Sequence, residues 1–152
     1  MDFGVHPSIG ELTDRNRLKT LLGELENYGY SGVYLADSLS EEADPLTVLA
    51  AASTIESSLL LGTCVYILPM RNPLLVAKQT STIQRLSHGR LVFGVGVGWR
   101  DFEFEALQAP FAERGQVMDE SIEIMLKAWR EEAVSYQGKH FRLEGVDVGA
   151  LC

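Results

Sequence analysis

The chain has 152 residues, enough for about one domain with a sizeable core. Hydrophobic residues make up 46% and charged residues 22%, which is the balance of a globular protein and excludes a disordered or fibrous one. The formal net charge of −8 argues against a nucleic-acid partner, and the lack of any run of about 18 apolar residues argues against a membrane span.

The first strand candidate, Asp2 to His6, begins at once, without the basic region and apolar core of a signal peptide. The two cysteines, Cys64 and Cys152, give neither metal spacing nor a disulfide framework, so no metal site and a reducing, cytoplasmic setting are expected. Thr13 is placed to cap a helix with the apolar face Leu18, Leu21, Leu22 and Leu25, and Gly29 to stop it. The run Val33-Tyr34-Leu35-Ala36 follows and ends in Asp37-Ser38. Asp44-Pro45 reads as an N-cap with proline at the first helical position, opening a helix to about Glu56. Leu59 to Leu68 is the third strand; Asn72-Pro73 repeats the helix start, and Gly89 ends a helix of about four turns.

Leu91 to Gly98 is the fourth strand, and Arg100 to Glu105 reads as a solvated loop. A last helix from about Ala112 to Arg130 puts Met118, Ile122, Met125 and Trp129 on one buried stripe. Val134 to Leu143 reads as a small hairpin turning at Gln137-Gly138, outside the repeat.

Strands therefore recur roughly every 30 residues with a helix between them, which predicts βαβ units, right-handed crossovers and a parallel sheet. Periodicity does not choose between an open doubly wound sheet and a (β/α)8 barrel. A barrel needs about 250 residues, and four units are half of one.

The fourth strand contains Gly94, Gly96 and Gly98 two residues apart, hence on one face. Glycines inside a strand mark a close approach, either of a flat ligand ring or of large neighbouring side chains. The spacing is not the dinucleotide fingerprint, because Trp99 and Asp101 occupy the positions where its last glycine would fall. There is no Walker loop and no Gly-x-Ser-x-Gly elbow.

Leu61-Gly62-Thr63-Cys64-Val65-Tyr66-Ile67-Leu68-Pro69-Met70-Arg71-Asn72-Pro73 resembles the third strand and following helix start of the luciferase-like monooxygenase superfamily. Leu86 to Leu91 and Gly94 to Trp99 resemble its fourth unit, and Pro110 to Gly115 with Asp119-Glu120 the helix after it. Within the superfamily the likeness is to the deazaflavin (coenzyme F-420)-dependent oxidoreductases. The resemblance implies the N-terminal half of a (β/α)8 TIM barrel that binds coenzyme F-420 or FMN at its mouth. There the reduced ring passes a hydride to a small-molecule substrate or activates oxygen, and the protein supplies placement and electrostatics.

Residue by residue, the resemblance implies a bulge with a non-proline cis peptide at Cys64-Val65, backing the ring. Thr63 is expected to hydrogen-bond the ring edge, Gly98 to leave room for it, and Trp99 to stack on it or wall the pocket. Asp37 closes strand two at the mouth as a catalytic or binding carboxylate, although relatives carry Asp-His where this chain has Asp37-Ser38. His6 ends strand one and can protonate or orient a substrate.

Relatives continue beyond the region of Val148 into a fifth strand, and barrel phosphate sites usually follow strands seven and eight. Two readings follow: an oxidoreductase domain that works within a whole barrel or through pairing of halves, or a truncated, non-catalytic half-barrel remnant acting at most as an association module. Taken alone, strands one and four are open edges, so a homodimer or pairing with a complementary half is expected. Ala50, Ala51, Ala52, Leu75 and Ala77 are the expected helical contact residues.

Overall fold

The computed structural model describes residues 2–150, so Cys152 lies outside the described residues. The chain divides into two compact units, one of Met1–Tyr66 with Ile83–Val95 and the other of Ile67–Thr82 with Gly96–Cys152.

The first unit is built on a parallel sheet of β1 (Gly4–Val5), β2 (Gly32–Leu35), β3 (Leu60–Ile67) and β4 (Leu91–Gly96), in that spatial order. Gly4 and Val5 pair with Gly32 and Val33; Gly32 to Leu35 pair with Leu60 to Thr63. The helix between β1 and β2 is α1 (Arg15–Asn27), and that between β2 and β3 is α2 (Pro45–Ser53). The cap of α1 is Asp14, not Thr13: its carboxylate accepts from the backbone N–H groups of Asn16 and Arg17, while the Thr13 hydroxyl donates back to Gly10 O. A carboxylate also suits the positive end of the helix dipole better than a hydroxyl. Asp44 caps α2 as expected, accepting from Thr47 N at 2.8 Å ahead of Pro45, but the helix stops at Ser53 rather than near Glu56.

Leu18, Leu22 and Leu25 of α1, Leu46 and Leu49 of α2, and Val33, Leu35 and Leu61 of the strands form this unit's buried core. Each such leucine stabilises the fold by about 1.5–3 kcal/mol relative to exposure. Leu21 is only half-buried. The start of β4 is fixed by Arg90, whose guanidinium donates to Leu59 O and Ser87 O, and by the Gln84 side-chain oxygen, which accepts from Leu91 N. Glu26 ties α1 to the turn before β3 by accepting from Ser57 Oγ and from the backbone and hydroxyl of Ser58.

α3 (Pro73–Leu86) begins in the second unit, where Asn72 Oδ1 accepts from Leu74 N at 3.0 Å. The segment expected to be a solvated loop is a helix, α4 (Asp101–Ala106), with Glu103 and Phe104 buried. Phe104 joins Ile67 and Met70 in an apolar cluster with Ala109 and Phe111, and that burial orders the segment despite its acidic sequence. α5 spans Arg114–Ala128 after a short 3₁₀ turn at Phe111–Glu113. Its buried stripe is Val117, Ser121, Ile124, Met125 and Ala128, rotated from the expected one; Met118, Ile122 and Trp129 are half-buried. Trp129 is held by its indole N–H donating to Ala77 O at 3.2 Å.

The tail is an antiparallel hairpin of β5 (Val134–Gln137) and β6 (Arg142–Val146). Its loop is longer than a Gln137-Gly138 turn, closing with Gly138 N donating to Phe141 O. Glu120 of α5 clamps that loop by accepting from the backbone N–H groups of Lys139, His140 and Phe141. Lys139 also pairs with Glu113. Among the contact residues expected for a partner, Ala52 and Ala77 are fully buried within the fold and so unavailable, whereas Leu75 is exposed.

Candidate functional site

Parallel strands deliver their C-terminal ends to one edge of a sheet, where open α/β folds and barrels place ligands. In the first unit that edge carries His6, one residue past β1, and Asp37, two residues past β2. Leu35 pairs with Thr63, so Asp37 follows its strand as Val65 follows Thr63. His6 is exposed, and Asp37 is buried.

The β3 end departs from a regular strand. The peptide between Cys64 and Val65 is cis, as the resemblance implies. Leu61, Gly62 and Thr63 before it and Tyr66 and Ile67 after it are buried, whereas Cys64 and Val65 are both exposed, Val65 at 41%. Strict alternation would hide one of the two. The Cys64 thiol is free.

Thr63 is not available as expected. It is 2% exposed, and its hydroxyl donates to Gly94 O at 2.7 Å, so its proton is committed to tying β3 to β4. Gly94 answers the question of what approaches the glycine run. A Cβ there would lie 2.3 Å from Thr63 O, so the space belongs to the neighbouring strand's backbone.

In the second unit, Gly98 lies beyond the end of β4 at φ +74°, and so does not continue the strand face of Gly94. A Cβ on it would meet Ile67 Cγ2 at 2.7 Å and Phe104 Cε2 at 2.9 Å; apolar packing, not room for a ring, accounts for this glycine. Arg114 fastens the same turn by donating to Gly98 O and Phe111 O, with its guanidinium 4.1 Å from the Phe111 ring centroid. Trp99 is 76% exposed and carries the Arg100 guanidinium 4.8 Å from its ring. Arg100 also approaches Glu103, at 3.6 Å.

Two residues that matter to these surfaces escaped the sequence reading. Glu103 was hidden in a run that looks solvated. Tyr34 lies across the glycines of neighbouring strands, where a Cβ on Gly4 or Gly62 would come within 2.4 Å of its ring. The signal for Tyr34 exists only once register is known, because Gly32, Gly4 and Gly62 are far apart in sequence. Among the described residues, no group of three or more His, Cys, Asp or Glu could hold a metal ion, and no helix is long and apolar enough to cross a membrane.

Monooxygenase RslO1 from Streptomyces bottropensis superposes with a TM-score of 0.81 at 26% identity, over 96% of this chain and 48% of its own. Such neighbours are TIM-barrel luciferase-like enzymes, and the chain is an α/β fold equivalent to about half of one. Residues 2–149 match the luciferase-like monooxygenase family, and the chain belongs to it. An uncharacterized protein of Mycobacterium tuberculosis is 34% identical over 103 residues, 68% of this chain and 36% of that protein. An F420-dependent glucose-6-phosphate dehydrogenase of Segniliparus rotundus is 31% identical over 134 residues, 77% of this chain and 38% of that protein. The chain thus spans less than two fifths of the length of these two relatives.

Proposed function

We propose that the chain contributes to an oxidoreductase site at the C-terminal ends of β1 to β3, where the ring of coenzyme F-420 or FMN rests against Cys64 and Val65. The observation that carries this reading is the paired exposure of Cys64 and Val65 in an otherwise buried stretch of β3. The residues present fit a flat ring. They offer an uncharged surface at a strand end, with a carboxylate, Asp37, on the neighbouring strand at the same edge. The family supports a flavin-type cofactor, and the name of the Segniliparus rotundus relative supports the deazaflavin.

When bound, such a cofactor supplies a hydride to substrate or, as a flavin, reacts with oxygen. The chain's residues supply the rest. Val65 and Cys64 back one face of the ring and keep water from it. The Thr63 hydroxyl holds β3 against β4 and so fixes where that backing stands. Asp37 orients the substrate or the ring edge, and the imidazole of His6 gives or takes a proton on the substrate side.

Titrating the chain with lumiflavin, FMN and F-420, followed by fluorescence quenching, tests the reading. Contacts made to the ring alone predict dissociation constants of roughly 10–100 µM, with lumiflavin binding about as tightly as FMN. Val65→Glu, which puts a charge against the ring face, weakens all three about tenfold or more. Absence of quenching at millimolar ring, or binding indifferent to Val65→Glu, overturns it.

A further inference from the structure

The hairpin is fixed by two kinds of contact that respond differently to acid. Its base is apolar, with Val134 of β5 fully buried. Its tip is held by polar groups. Glu113, Gln116, Glu120 and Glu123 fall three or four residues apart and so form one stripe along α5 and the turn before it. Each of the four bonds the hairpin. Lys139 Nζ donates to Glu113 and, at 3.1 Å, to Gln116 Oε1. Both Glu120 oxygens accept from the loop backbone: Lys139 N donates to Oε1 at 2.9 Å, and His140 N and Phe141 N donate to Oε2 at 3.0 and 3.1 Å. The Tyr136 hydroxyl donates to Glu123 at 2.9 Å. Gly138 lets the Glu120 carboxylate come this close, since a Cβ there would stand 2.3 Å from its Oε2. Hydrogen bonds to an ionised oxygen are about twice as strong as neutral ones, and a protonated carboxyl gains a donor where the loop offers only donors.

We propose that the tip of the hairpin, residues 138–141, is a strap latched to α5 by the Glu120 carboxylate, which lifts off on acidification while the base stays docked at Val134. The groups facing Glu120 are Tyr136, Lys139 and His140 of the hairpin, with Glu113 and Glu123 on its own stripe. Burial alone would raise the Glu120 carboxyl, but the backbone N–H groups of His140, Lys139 and Phe141, helped by the His140 ring, hold it below its ordinary value of 4.5. A carboxyl lowered in the folded state contributes fully above its unfolded value and loses that contribution as pH falls through the folded one. The strap is therefore closed at neutral pH and opens below pH 4.5. Glu113 moves the same way, held low first by its bond from Lys139, so acid removes the Lys139 ion pair as well. The Tyr136 phenol is pushed up to about 12, by burial first and then by Glu123, and stays a neutral donor throughout. Every one of these contacts lies within residues 113–141, and the device stands independently of any cofactor.

Amide exchange of the chain, read residue by residue and expressed relative to an unstructured peptide at each pH, gives the test. From about pH 7 to about pH 3.5, protection of Lys139, His140 and Phe141 should fall about tenfold or more, while Ile124 and Met125 of α5 keep theirs and the Val134 methyl resonances stay in place. Glu120→Gln is neutral at every pH. At pH 7 it should reproduce about the same loss at the three tip amides and flatten their response to acid. Glu144→Gln makes the same charge change at an exposed position of β6 and leaves the tip protected. The titration of the unsubstituted chain needs no variant to fold. Tip amides that stay protected in acid, that lose protection only together with Ile124 and Met125, that ignore Glu120→Gln, or that respond equally to Glu144→Gln would overturn the proposal.

Discussion

Gly94→Ala separates the two meanings a glycine-rich strand can have. If the missing side chains make room for a ligand, an added methyl leaves the folded chain about as stable and harms only binding. The structure says otherwise. The new Cβ would stand 2.3 Å from Thr63 O, about 1 Å inside ordinary contact, and the atom it meets is backbone and cannot rotate away. β3 and β4 must part at that point, and the Thr63 hydroxyl bond to Gly94 O, now 2.7 Å, stretches with them. Overpacking of this kind costs about 1–3 kcal/mol, and losing the hydrogen bond adds about 1 kcal/mol. The sum, roughly 2–4 kcal/mol, corresponds to a fall of roughly 5–15 °C in Tm for a chain of this size. Thermal unfolding followed by circular dichroism reads it directly. Gly115→Ala is the control, since no neighbouring atom lies within 4 Å of the Cβ it would gain. Helix propensity makes that change neutral or stabilising by up to about 1 kcal/mol. If Gly94→Ala melts within about 1 °C of the parent chain, strand packing does not explain the glycine, and the ligand reading of that position returns.

Gly98→Ala adds a second strain at a different place. It demands φ +74° of an alanine and drives its methyl against Ile67 and Phe104, so urea unfolding should show a loss of roughly 2–4 kcal/mol, and an unchanged midpoint contradicts the packing. For Glu26, the backbone N–H of Ser58 and then the Ser58 hydroxyl hold the carboxyl below its ordinary value of 4.5, against a smaller opposing effect of burial. A depressed carboxyl stabilises the fold above its unfolded-state pKa and loses that contribution as pH falls through the folded value. The stability gap between the parent chain and Glu26→Gln, taken from urea midpoints, should therefore be full near neutral pH and shrink below pH 4.5. A gap that widens on acidification refutes the linkage.

Much of the fold was legible because the signals are local. Asp44-Pro45 and Asn72-Pro73 open helices where expected, and the alternation of strand and helix delivers the parallel order β1-β2-β3-β4. The family motif also placed the cis peptide at Cys64-Val65. What failed depended on contacts distant in sequence. Arg100 to Glu105 looks solvated because its charges dominate, yet burial of Phe104 against Ile67 and Met70 makes it helical. Periodicity could not resolve which residues face inward on α5: shifting a stripe by one position turns a helix by about 100°, and the apolar residues of this helix fit both settings. Thr63 could not be assigned, because the carbonyl that takes its proton lies 31 residues away.

Within the expected site, the glycine run and the strand end at Cys64 and Val65 play different parts. The glycine run drew attention because it looked like vacated space, yet at Gly94 the space is filled by backbone and at Gly98 by Ile67 and Phe104. On the neighbouring strands, Gly4, Gly32 and Gly62 are covered in the same manner by the Tyr34 ring. These five glycines therefore serve close packing, and none of the five offers a ligand an empty face. The open surface lies where the sequence shows no glycine at all, at Cys64 and Val65, because there the strand stops alternating and presents two successive side chains to solvent. A ring seated on that step needs no missing side chain. It needs a short uncharged ledge at a strand end, held in place by the Thr63–Gly94 hydrogen bond and flanked across β2 by a carboxylate. Substitutions that disturb the ledge should therefore act on binding, whereas substitutions at Gly94 and Gly98 should act first on folding.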